Sequence, residues 1–127
     1  MDSWADRENR SSVVLEREWM RGAAPLAVVT LLERREMYGY ELVEALERDS
    51  GGLLAMGQST VYPLLYNLES KGHVTAEWRE APNGRRRKYY KATAAGRKWL
   101  EGQRSQWATL VAAMTRLGVE RSEGAGR

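Results

Sequence analysis

Gln58, Ser59, Thr60, Tyr62 and Tyr66 set one amide and four hydroxyl groups along a short stretch of chain, and Arg85, Arg86, Arg87 and Lys88 add four adjacent cations further on. Amides and hydroxyls exchange hydrogen bonds with base edges or phosphate oxygens, and a compact run of Arg and Lys neutralises phosphate charge. Together they point to recognition of a polyanion. Covalent chemistry lacks its parts. The chain has no cysteine and a single histidine, His73, which excludes disulfides, thiolate metal sites, cysteine nucleophiles and two-histidine metal sites. A Ser-His-Asp triad would have to use that one imidazole, which follows Gly72 at the start of a strand and reads as a packing or surface residue. Glu33, Glu36 and Glu69 are scattered carboxylates with no acid–base partner in view. The expectation is a binding protein that performs no catalysis and holds no cofactor or metal.

Formal net charge is only +3, but residues 79–91 carry a net +5 (Arg79, Arg85, Arg86, Arg87, Lys88 and Lys91 against Glu80), which leaves −2 on the rest. A basic cluster on a mildly acidic body marks one surface for a polyanion and not a generally adhesive protein.

The elements that position these groups follow from periodicity. At 127 residues, 43% of them hydrophobic and 29% charged, the chain suits one small core with an appended element. The apolar run from Ala23 to Leu32 is too short for a bilayer span of roughly 20 residues and reads as a core helix. Asp2, Asp6, Arg7, Glu8 and Arg10 stand where an export signal would be apolar, so the expectation is a cytoplasmic protein with no membrane partner. Residues 1–12 and 118–127 are polar and aperiodic and read as unstructured ends.

Between them, Leu15 and Trp19 suggest a short turn, followed by a helix opened by Pro25 and carrying Val28, Val29, Leu31 and Leu32. Leu42, Val43 and Leu46 mark a second helix, ended by Ser50-Gly51-Gly52. Ser59 or Thr60 is the expected cap of a third, whose Val61, Leu64, Leu65 and Leu68 form an apolar stripe closed by Gly72. The period then falls to two: Val74, Ala76 and Trp78 face a core, Pro82-Asn83-Gly84 turns the chain, and residues 85–92 return, with one of Tyr89 and Tyr90 inward and the other outward. Thr93 caps a long last helix in which Leu100, Gln103, Trp107, Leu110, Met114 and Leu117 recur at steps of three and four.

The predicted fold is mainly α with a small β-hairpin: a winged helix-turn-helix over 13–92, then a long C-terminal dimerisation helix over 93–117. In that geometry the third helix enters a major groove with Gln58, Ser59, Thr60, Tyr62 and Tyr66, while the wing lays Arg85, Arg86, Arg87 and Lys88 along the backbone or into the adjacent minor groove. Tyr38 joins them as a hydroxyl beside a helix start. The Leu100–Leu117 seam has no surface left in so small a domain, so a second copy covers it. Trp107 on that seam is either interface packing or a ligand platform, and Trp19 and Trp99 either pack where the first helix meets the last or line a central cavity.

Three blocks then resemble a known family: Met37-Tyr38-Gly39-Tyr40-Glu41-Leu42; Ser59-Thr60-Val61-Tyr62-Pro63-Leu64-Leu65-Tyr66-Asn67-Leu68-Glu69 with Lys71-Gly72; and Gly84-Arg85-Arg86-Arg87-Lys88-Tyr89-Tyr90-Lys91-Ala92-Thr93 with Gly96. In this order and spacing they resemble the PadR family of bacterial transcriptional regulators over about residues 19–117, in its smaller subgroup with a single C-terminal helix. The resemblance implies a homodimeric repressor on double-stranded DNA, often released by a small aromatic or planar effector near the dimer centre. The chain departs from the family pattern at Ser59, usually Gly, and at Ala92, usually Leu. A winged helix used only for protein–protein contact is the alternative, and the basic wing argues against it.

Overall fold

The computed structural model describes residues 14–119. The expected unstructured stretch 1–12 and most of the expected tail lie outside them. Among the described residues, four helices and a three-stranded antiparallel sheet follow in the order α1 (Arg17–Arg34), β1 (Met37–Tyr38), α2 (Gly39–Asp49), α3 (Gln58–Ser70), β2 (Val74–Glu80), β3 (Arg86–Ala92) and α4 (Ala94–Leu117).

Helix α1 is one continuous helix with Pro25 inside it, and not a turn followed by a helix that Pro25 opens. The proline deprives the Arg21 carbonyl of its helical donor, but Arg21 is exposed, so water can take that bond. Meanwhile Ala24, Val28, Val29, Leu31 and Leu32 are buried along one side and hold the helix together through the proline. Met37 and Tyr38 then pair with Tyr90 and Tyr89 as a third strand. Two residues leave no periodicity to detect, which is why the sequence reading places no strand there.

The Glu41 carboxylate accepts from the Tyr38 N–H at 3.1 Å at the head of α2, and Leu42, Ala45 and Leu46 bury that helix against α1 and α3. The start of α3 corrects a second expectation. Gly57 is the N-cap and Gln58 the first helical residue, so Ser59 and Thr60 lie inside the first turn, exposed, with their hydroxyls not needed as caps. Val61, Leu65 and Leu68 are buried as the stripe requires. At the far end Gly72 takes φ +79°, and the N–H groups of Gly72 and His73 close back on Glu69 and Leu68 at 3.0 and 2.9 Å. This double closure at a left-handed residue stops the helix and aims the chain into β2.

The hairpin pairs Val74 with Ala92 through to Glu80 with Arg86, and β3 is the central strand of the sheet. Tyr90 is buried while Tyr89 faces outward, edge-on to Tyr38 at 5.5 Å. Trp78 does not join the core, as alternation alone predicted: it is 56% exposed. The helices cover only the base of the hairpin, where Val74 and Ala92 are buried. Trp78 lies opposite Lys88, beyond that cover.

The Thr93 hydroxyl caps α4, accepting from the Gly96 N–H at 2.9 Å and donating to the Gly72 carbonyl at 2.6 Å. A Cβ on Gly96 would run into the His73 carbonyl, so only glycine lets the helix cross the α3–β2 joint this closely. Beside it the His73 ring stacks on Trp99, with centroids 4.7 Å apart and planes 20° apart. Leu100, 1% exposed, completes the core. Beyond Arg104, which is bonded to Glu33 of α1 at 3.2 Å, α4 runs outward until Gly118 ends it at φ +88°. No helix among the described residues is long and apolar enough to cross a membrane.

Candidate nucleic-acid interface

α2, the connection through buried Met56 and α3 form the helix-turn-helix. Its two helices meet where the Tyr62 ring lies over Gly39: a Cβ there would overlap the ring and stand 2.7 Å from its hydroxyl oxygen. Tyr62 is therefore held at a fixed angle while its outer edge stays exposed. Gln58, Ser59 and Thr60 are exposed on the first turn of α3, and Tyr66 is 73% exposed one turn beyond Tyr62. All five polar residues expected on the outer side of this helix are there.

The wing lies next to this face. A cleft of about 320 Å³ is lined by Tyr38 of β1, Gly39 of α2 and Tyr62 of α3 and by Trp78, Arg86, Arg87, Lys88 and Tyr90 from the hairpin. The cations are not equally free. Arg85 and Arg86 are exposed, with the Arg86 guanidinium 5.7 Å from the centre of the Trp78 ring. Arg87 sits 4.3 Å over Tyr38. Lys88 is 3.5 Å from the Glu69 carboxylate and 5.5 Å from the centre of Tyr90. The rings under Arg86 and Arg87 hold these guanidinium groups in place without neutralising them, whereas Lys88 shares its charge with Glu69. Burial pushes the Tyr90 phenol above its ordinary pKa, so it stays neutral beside Lys88.

Arg79, counted with the cluster in the sequence, belongs elsewhere. Its guanidinium pairs with Glu77 and Glu36, which raise its pKa, and lies 5.0 Å over Tyr89. It fastens β2 to the segment before β1. Sequence reasoning missed Gly39, Trp78 and Tyr90 in this cleft, and Trp78 is the one of them it placed in the core and the structure exposes. Its alternation with Val74 and Ala76 matched a core strand, and only the length of the hairpin relative to the helices reveals otherwise.

At the other end of the molecule, Trp107, Leu110, Met114 and Leu117 form an exposed ridge on α4, widened by Val111. Gln103 is half-buried. Leu100 is corrected from seam to core: its side chain is used within its own chain, because the root of α4 packs on α1 and the sheet. Of the tryptophans, Trp99 is taken up by His73, Trp19 is 67% exposed on α1, and Trp107 lines a groove of about 340 Å³ with Leu26, Ala27 and Leu54. No described cavity brings the three together.

A helix-turn-helix with a hairpin wing, presenting polar groups on its third helix and cations on its wing, defines a DNA-binding winged-helix protein. The pattern of the transcriptional regulator PadR-like family matches residues 28–102. The transcriptional regulator Rv3488 of Mycobacterium tuberculosis is 34% identical over 69% of this chain and 78% of its own. A PadR family transcriptional regulator from Eggerthella lenta superimposes with a TM-score of 0.71 at 30% identity, over 96% of this chain and 100% of its own. The fold alone is shared with a transcriptional regulator from Clostridium thermocellum, with a TM-score of 0.74 at 23% identity over 81% of this chain and 97% of that one. The chain belongs to the PadR-like family of transcriptional regulators, which bind DNA and are not enzymes.

Proposed function

We propose that the chain is a homodimeric repressor acting in the cytoplasm on a pseudo-palindromic operator. The winged helix over 13–92 reads DNA, and the helix over 93–117 pairs the copies through Gln103, Trp107, Leu110, Met114 and Leu117. Each protomer turns Gln58, Ser59, Thr60, Tyr62 and Tyr66 to a major groove, with Tyr38 and the Arg85–Lys88 run on the neighbouring backbone. The two half-sites lie about 34 Å apart, one turn of duplex. The observation that carries this reading is the cleft in which Tyr62 of α3 meets Arg86, Arg87 and Lys88 of the wing. Base-reading and phosphate-neutralising groups there form one continuous surface. The groove at Trp107, about 340 Å³ and mostly apolar, is within the size range of small-ligand pockets. It supports release by a planar aromatic effector that changes how α4 seats on α1.

Fluorescence anisotropy of labelled duplexes across a salt series tests the reading. Log affinity falls with log salt at about −0.9 per neutralised phosphate. Arg86→Ala combined with Lys88→Ala weakens operator and random duplex alike and flattens that slope. A chain that ignores every duplex at low salt has a protein–protein role instead.

A further inference from the structure

Thr60 and Tyr62 are two residues apart, so their side chains leave α3 about 200° apart around its axis. Tyr62 borders the cleft shared with the wing. Thr60, with Leu64 of the same helix, borders another, of about 540 Å³, whose other walls come from the start of α1 and the connection before α3, with Arg17, Met20, Arg21, Met56 and Gly57 among them. Arg17 and Arg21 are one helical turn apart and therefore share a face of α1. Both are exposed, and neither is ion-paired with any described residue, unlike Arg79 and Arg104. Glu16 and Glu18, adjacent in sequence, do not line the cleft. Apolar Met20 and Met56 give the long arginine stems a surface to lie on while the guanidinium groups reach outward.

A helix about 10–12 Å across fills a major groove about 12 Å wide, so a sugar–phosphate chain borders it on either side. The wing accounts for one of those chains. We infer that Arg17 and Arg21 grip the other, making the start of α1 a second phosphate-binding edge on the flank of α3 opposite the wing. The inference rests on the reading of α3 as the groove-entering helix. It assigns this pair to backbone neutralisation, with no part in choosing bases.

The test is anisotropy of the full chain on random and operator duplex over a salt series, comparing Arg17→Gln/Arg21→Gln with Arg86→Gln/Lys88→Gln. The α1 pair is expected to lose about 10- to 100-fold in affinity on both duplexes at low salt and to flatten the log–log slope by about 2 per protomer. Its melting temperature and solution mass stay those of the parent chain. Parent-like affinity and slope in the α1 pair, with losses in the wing pair, would overturn the inference and leave the DNA-binding reading standing. A loss confined to operator duplex would overturn it too, by making the arginines base-reading. If the parent chain binds neither duplex, the DNA-binding reading falls together with the inference.

Discussion

The two halves of α4 carry the same kinds of side chain and meet opposite fates. In the root, Thr93 caps the helix on Gly72, Gly96 presses on the His73 backbone, Trp99 stacks on His73 and Leu100 is buried. In the outer half, Trp107, Leu110, Val111, Met114 and Leu117 are all exposed. A heptad-like seam therefore says that a helix has an apolar face, and the length of the domain beneath decides where that face stops being core. One molecule holds both a locked joint, which ties α4 to the end of α3, and an open ridge, which stays exposed even where Trp107 borders the groove against α1.

Substitutions on either side of that divide sharpen the comparison. Leu100→Ala leaves a cavity in the core and costs about 2–5 kcal/mol in urea unfolding. Leu110→Ala shifts monomer unfolding by less than about 0.5 kcal/mol and instead weakens self-association measured by sedimentation. Equal stability losses at both positions would erase the distinction. Gly96 and Gly102 divide the same way with smaller effects. Gly96→Ala forces the His73 backbone to move and destabilises by about 1–3 kcal/mol. Gly102→Ala meets nothing within 4 Å and stabilises by about 0.5–1 kcal/mol through helix propensity, read as a rise in the thermal midpoint. The smallest effect falls at the wing: Trp78→Ala leaves the thermal midpoint unchanged and lowers duplex affinity several-fold, because Arg86 loses the ring beneath it. A large drop in stability there would return Trp78 to the core.

How much of this was legible depended on what carried the signal. Helices α2, α3 and α4 and the hairpin followed from apolar periodicity, turn residues and the Thr93 cap, and the outward set Gln58, Ser59, Thr60, Tyr62 and Tyr66 followed from the stripe opposite. Strand β1 was not legible, because two residues have no period and pair only with a strand fifty positions later. Gly57 as the cap lost to Ser59 and Thr60 because side-chain caps are the stronger local preference, whereas the helix starts at Gln58, just after buried Met56 and the cap Gly57, which stands two residues ahead of Ser59. Trp78 and Leu100 failed for a shared reason: periodicity gives the face a residue points to, and only tertiary extent gives what lies opposite. The partnering of Arg79 with Glu36, far away in sequence, was beyond any local pattern.

Sedimentation of the full chain, alone and with a duplex carrying two half-sites one helical turn apart, bears most directly on the assembly proposed for this family member. The account requires a particle of two chains in both conditions, with one duplex bound per pair and binding that weakens steeply with salt. A single-chain particle at micromolar concentration that leaves the duplex free at low salt would contradict it.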